Sequence, residues 1–198
     1  MNSSGKQINM QKLMANEVKK FESVFGQGNV HASMLLREVK SKDDLQWHES
    51  LIDIKSGSNF GPKEGGNAHL GGKYISINAD YIDKNGSFSD KKTMVHEIGH
   101  TGGLVHPWEF DGKQAFVNGN PAPTNEQSYY NSANSPEVES NFMNYTSKAV
   151  ENYYNPFSTM DFTKYFNDNV GKATQGQEQQ IINNLYNGNL NYDDIPKK

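Results

Sequence analysis

With 198 residues, a net charge of −4 and a pI near 5.9, the chain is long enough to bury one proper core, and its charge gives no reason to bind nucleic acid or an anionic membrane surface. It contains no cysteine, which excludes disulfides and thiolate metal ligands, and no apolar run is long enough to span a bilayer. An apolar fraction of 34% with abundant glycine and asparagine predicts long polar loops around that core.

In chain order, Met10, Leu13, Met14, Val18, Phe21 and Phe25 form a 3.6-period stripe that predicts a scaffold helix over 8–25, closed by Gly26. The run VHASMLLREV, residues 30–39, reads as a strand. HESLIDIKSG gives a second strand, with Leu51 or Ile52 and Ile54 inward, after a polar connection holding Asp43 and Asp44. Residues 57–66 are loop by composition. GGNAHLGG, residues 65–72, is bounded by glycine pairs and suits an edge strand that another backbone can approach, such as an extended peptide joining by strand addition; a plain glycine-rich turn fits these residues equally. KYISINADYI then alternates as a strand, with Ile75 and Ile77 on one face.

Asp80, Asp83, Asn85 and Asp90 raise calcium as a second metal, but their spacing fits an EF-hand loop poorly and an ordinary strand-to-helix loop is expected. Ser89 or Asp90 is placed to cap the next helix, whose Met94, Val95 and Ile98 form its buried side.

That helix carries the chemistry. His96 to His106 reads HEIGHTGGLVH. Residues i and i+4 of a helix lie about 5–6 Å apart on one face, so His96 and His100 can offer two imidazole nitrogens to one metal ion. A catalytic zinc usually takes three protein ligands and keeps a fourth position for water. His106 can be the third, because Gly102 and Gly103 let the backbone leave the helix and swing it back. Glu97 lies beside the pair, placed to hold a water. At this chain's His and Glu frequencies HExxH alone would arise by chance in about one such sequence in a hundred, and adding the glycine and third histidine lowers that to roughly one in thirty thousand. The full pattern, HExxHxxGxxH, is of metzincin type.

Residues 107–140 are rich in Pro, Asn, Ser and Gly without sustained periodicity, and a loop of that length is placed to wall a cleft. NFMNYT, residues 141–146, follows. Residues 157–166 read as a short helix with an aromatic face. Thr174 and Gln177 form a capping box for a last helix ending at Tyr186, with Ile181, Ile182 and Leu185 inward and Gly188 as its stop. His31, His48 and His69 are lone histidines, read as surface or hydrogen-bonded residues.

On HEIGHTGGLVH and NFMNYT together, the chain resembles the metzincin clan of zinc metallopeptidases. The wording NFMNYT before a helix entered through TQGQ looks most like the pappalysin-type branch, and a tyrosine two residues after the methionine is also similar to astacins and serralysins. The resemblance implies an α+β fold in one catalytic domain, 1–198: a twisted mixed sheet with helices in an upper lobe (about 1–103) and a small loop-rich lower lobe (about 104–198) ending in a helix. It implies Met143 as the apolar floor of the metal site and Tyr145 as a fifth ligand or a hydrogen-bond donor to the transition state. The chain departs from the clan in two respects. No strand is evident before the opening helix, and without cysteine neither a cysteine-switch propeptide nor the branch's usual disulfides can form.

The expected activity is zinc-dependent endopeptidase cleavage of extended polypeptides, with His96, His100 and His106 on one Zn²⁺, Glu97 as general base, Tyr145 as electrophilic partner, and Met143 and Gly103 in support. A different zincin would take its third ligand from Glu137 or Glu139, leaving His106 and Met143 unexplained. A binding module or toxin component with little turnover is the reading from another class. The expected partner is a protein or peptide substrate and the expected state a monomer. MNSSGKQINM has no signal-peptide core, so a secreted location is expected with the targeting segment outside this chain, or with the module released from a larger exported protein.

Overall fold

In the computed structural model the described residues are 1–25, 32–62, 64–89, 92–104, 106, 142–143 and 171–190, with the backbone of 116–117 and 120–121. They form an α+β arrangement. Helix α1 spans Met10–Phe25, and its first turn is capped by Asn9, whose side-chain oxygen accepts the Lys12 N–H at 3.0 Å. The predicted stripe is the buried side through Leu13 and Phe25, with one polar addition: Glu17 is 1% exposed and paired with Lys20 at 2.6 Å.

Strands β1 (Leu51–Lys55), β2 (Gly66–Ala68) and β3 (Tyr74–Asn78) make a mixed sheet in the order β1-β3-β2. β1 runs parallel to β3, with Leu51 opposite Tyr74, and β2 runs antiparallel, with Gly66 opposite Ile77. β2 is therefore an edge strand.

The far edge, beyond β1, is covered by the first three residues. Asn2 bridges Ile54 in parallel. Ser3 N–H donates to Ile54 O at 2.9 Å and Ile54 N–H donates to Met1 O at 3.0 Å. Ser3 Oγ also donates to the buried Asp53 carboxylate at 2.7 Å. A short pairing segment thus precedes the opening helix, where the sequence showed none.

The expected strand at 30–39 does not form over its described part, 32–39. The β1 edge it would need is already taken by residues 1–3. The segment carries no regular secondary structure, with Leu35 97% exposed and Val39 buried. It is tied down by Arg37, which donates through two guanidinium nitrogens to Glu49 and also to Asp44 O.

Helix α2 spans Thr93–Thr101 and starts later than expected, with Lys92 at the N-cap position and no side-chain cap. Ser89 is not its cap, because it lies three residues before the N-cap position, and its hydroxyl donates to Tyr81 O; Asp90 lies outside the described residues.

Two apolar clusters anchor this helix. Met94 packs with Leu13, Ile54, Ile75, Ile77 and Phe88 between α1 and the sheet. Val95 packs with Val24, Phe25, Leu104, Phe142 and Met143 on the other side. Full burial of side chains of this size stabilises by about 1.5–3 kcal/mol each, so α2 is held from two directions.

Within 107–140, Phe116–Val117 (β4) and Asn120–Pro121 (β5) form a small antiparallel ladder. The short helix expected at 157–166 lies outside the described residues.

Helix α3 spans Gln175–Tyr186 and opens with the expected capping box between Thr174 and Gln177. Its inward face differs from expectation. Ile181 joins the second cluster, but Leu185 is 61% exposed while Gln177 and Glu178 are buried. Gln177 is taken up by the capping box, and Gln180, Ile181 and Asn184 meet the end of α2. No helix among the described residues is long and apolar enough to cross a membrane.

Candidate metal centre

Helical spacing puts His96 and His100 on one side of α2, with ring centroids 4.8 Å apart. The chain then turns. Gly102 is still near-helical at φ −75°, and Gly103 takes φ +79°, a conformation that only glycine adopts without strain. The reversal brings His106 back, its ring centroid 5.0 Å from that of His96 and 4.7 Å from that of His100.

Each helical imidazole is oriented by a main-chain carbonyl. A carbonyl can only accept, so His96 Nδ1–H donates to Phe142 O at 3.3 Å and His100 Nδ1–H donates to Leu104 O at 2.8 Å. In both rings the Nε2 lone pair is left pointing into the cluster, the arrangement that fixes a metal-ligating tautomer. His96 Nε2 and His106 Nε2 are 3.0 Å apart. Two tetrahedral ligand nitrogens at zinc distances stand about 3.3 Å apart, so this pair is spaced for one ion. The whole triad offers ligand atoms within 4.8 Å of one another. Drawing the widest pair onto one ion therefore needs at most about 1.5 Å of movement. A proton shared between the two Nε2 atoms is what an incoming cation would displace.

Burial, reinforced by His100 and His106, pushes the His96 imidazole well below its ordinary range. At neutral pH that ring is uncharged and its lone pair is available. Three imidazole nitrogens are a donor set suited to zinc and other first-row cations, so the residues present fit a metal ion.

Glu97 is buried beside the triad. A β-carbon at Gly66 would lie 3.1 Å from Glu97 Cγ, and one at Gly65 would lie 2.9 Å from Thr93 Oγ1. The glycine pair that looks like an opening for a foreign backbone thus first serves α2, whose Thr93 packs on Gly65 and whose Glu97 packs on Gly66 of β2. Gly71 N–H also donates to His100 O at 2.8 Å. The segment from Gly65 to Gly71 that contains the edge strand thus meets the histidine helix at Thr93, Glu97 and His100.

Met143 is fully buried under α2 at Gly99, where a β-carbon would lie 2.3 Å from its sulfur. Phe142 beside it stacks edge-on against Phe25, with centroids 5.0 Å apart, so the carbonyl that orients His96 is itself held by α1. Tyr145, Glu137, Glu139 and His31 lie outside the described residues. His48 and His69 occupy exposed positions and are not part of the triad.

The acidic loop has other work for its carboxylates. Asp80 pairs with Lys6 at 2.5 Å, and Asp83 accepts the N–H groups of Asn85 and Ser87 at 2.9 and 2.8 Å. Among the described residues the three histidines are the one group that could hold a metal ion.

No protein-family model, curated protein or solved structure matches the chain.

Sequence reasoning missed two supports of this centre. Gln180 Nε2 donates to Gly103 O at 3.2 Å, and Asn184 Nδ2 donates to Gly102 O at 3.0 Å. The i,i+4 spacing of two amides on the last helix was the available signal, and nothing local said what they would meet.

Proposed function

We propose that the chain is a zinc-dependent endopeptidase of metzincin type that cleaves extended polypeptides. The observation that carries this reading is the convergence of His96, His100 and His106, with the first two already locked as Nδ1–H tautomers by carbonyls.

A zinc ion held there would supply Lewis acidity, lowering the pKa of water to near neutrality and polarising a scissile carbonyl. Glu97 follows the first ligand directly on the same rigid helix. It takes a proton from the attacking water and delivers it to the leaving amine, a contribution of about 10²–10⁴-fold. By the metzincin resemblance, Tyr145 is the donor to the developing oxyanion. β2 offers an edge to which a substrate backbone can add in extended form, and its attachment to α2 at Gly71 and Gly66 holds that edge beside Glu97.

The test is to incubate the full chain with Zn²⁺ and denatured casein, with and without a chelator, beside the Glu97→Gln variant. Cleavage that requires zinc and Glu97 is the expected result. A chain that binds zinc and peptide without cleaving is a binding module, and the peptidase proposal is then withdrawn.

A further inference from the structure

We infer that Gln180 and Asn184 are positioning residues for the third metal ligand: their carboxamides fix the Gly102–Gly103 turn, and that turn sets where His106 is delivered. The inference rests on the metal reading of the triad given above.

Helix ends leave carbonyl groups that need partners. At the end of α2, Ile98 O accepts from Gly102 N–H and His100 O from Gly103 N–H. The carbonyls of Gly102 and Gly103 face α3 instead, and each receives one amide N–H from it. Ile181, between the two amides, fills the space over Gly102, where a β-carbon would lie 2.9 Å from its Cγ1. At Gly103 a β-carbon would lie 2.3 Å from Asn184 Nδ2. The turn is therefore gripped by hydrogen bonds and by shape together.

Leu104 follows this turn at once, and its carbonyl orients His100; His106 comes two residues later. A shift of the turn would disturb two ligands together. A helix serving only to close a core would present apolar side chains here. α3 presents Gln180 and Asn184 on either side of Ile181 and leaves Leu185 in solvent.

The experiment uses the full chain and its Gln180→Met, Asn184→Leu and doubly substituted forms, near-isosteric and neutral replacements that remove the donors. Gln179→Met is the control, since Gln179 is exposed and bonds only to Asn183 among the contacts described. Co²⁺ is the probe, read by its visible absorption and by competition with a chelator, with thermal unfolding measured in parallel. Supporting contacts around metal ligands typically alter affinity by about 10–100-fold. Each single variant should bind Co²⁺ about tenfold more weakly, the double about a hundredfold, with a weakened tetrahedral spectrum. The control should match the parent chain.

Wild-type Co²⁺ affinity and spectrum in both single variants, whatever their unfolding temperatures, would overturn the inference and leave the amides structural. The single variants decide the matter if the double does not fold. Failure of the unaltered chain to bind Co²⁺ would instead remove the metal reading, and this inference with it.

Discussion

The sulfur of Met143 rests against the backbone of Gly99, the residue just before the second histidine of the helix. A side chain of any size at 99 must displace either the methionine or the helix, because a β-carbon there would approach Met143 Sδ to 2.3 Å and Phe142 Cε2 to 2.9 Å. Gly99→Ala is expected to destabilise by about 1–3 kcal/mol through overpacking, despite alanine's better helix propensity. Denaturant unfolding checks this. Combined with Met143→Ala the two losses should be less than additive, with a coupling of about 0.5–3 kcal/mol. Full additivity would mean that the contact is not shared.

Glu97→Gln should retain metal and lose about 10²–10⁴-fold in peptide hydrolysis, since the amide keeps the shape and cannot take up the proton. Metal content by elemental analysis and turnover of a quenched peptide are the paired measurements. Undiminished turnover would exclude Glu97 as the base.

His106→Ala removes one of three converging nitrogens. Its effect on Zn²⁺ affinity should exceed the roughly 10–100-fold of a supporting partner, measured by competition with a chromogenic chelator. Unchanged affinity would point to a ligand outside the described residues, with Glu137 and Glu139 the first to substitute.

The metal-free protein should lose stability on acidification. His96 is pushed by burial well below its ordinary value of 6.5, so under acidic conditions the unfolded chain binds a proton that the folded chain resists. The stabilisation is complete above 6.5 and is lost as pH falls below it. Thermal unfolding in chelator between about pH 8 and pH 5 should show a falling midpoint that flattens in His96→Phe. The same slope in both proteins would assign it to other groups.

Much of this fold was legible because it is written locally. The 3.6-residue stripe of α1, the alternation of Ile75 and Ile77 in β3 and the Thr174–Gln177 capping box each need only near neighbours. The pattern of the triad is local too, since helical spacing and a glycine turn allow His106 to come round, while the grip on that turn comes from α3. The features that escaped depend on distant partners. Met1 to Ser3 are too few to show a period, yet they take the β1 edge and so leave 32–39 without a ladder. Leu185 looked inward because its spacing matches Ile181 and Ile182. The neighbour of that face proved to be two peptide carbonyls, which select amides over leucine.

β2 is only three residues long, flanked by Gly65 and by the turn through Gly71 and Gly72. A guest chain laid along so brief a border would find a couple of main-chain rungs at most. At about 0.5–1.5 kcal/mol net per rung, that hold is millimolar-grade or weaker. Recognition of any polypeptide guest must then come chiefly from grooves that grasp its side groups, and short peptides lacking those groups should be handled slowly even when the bond to be cut is present.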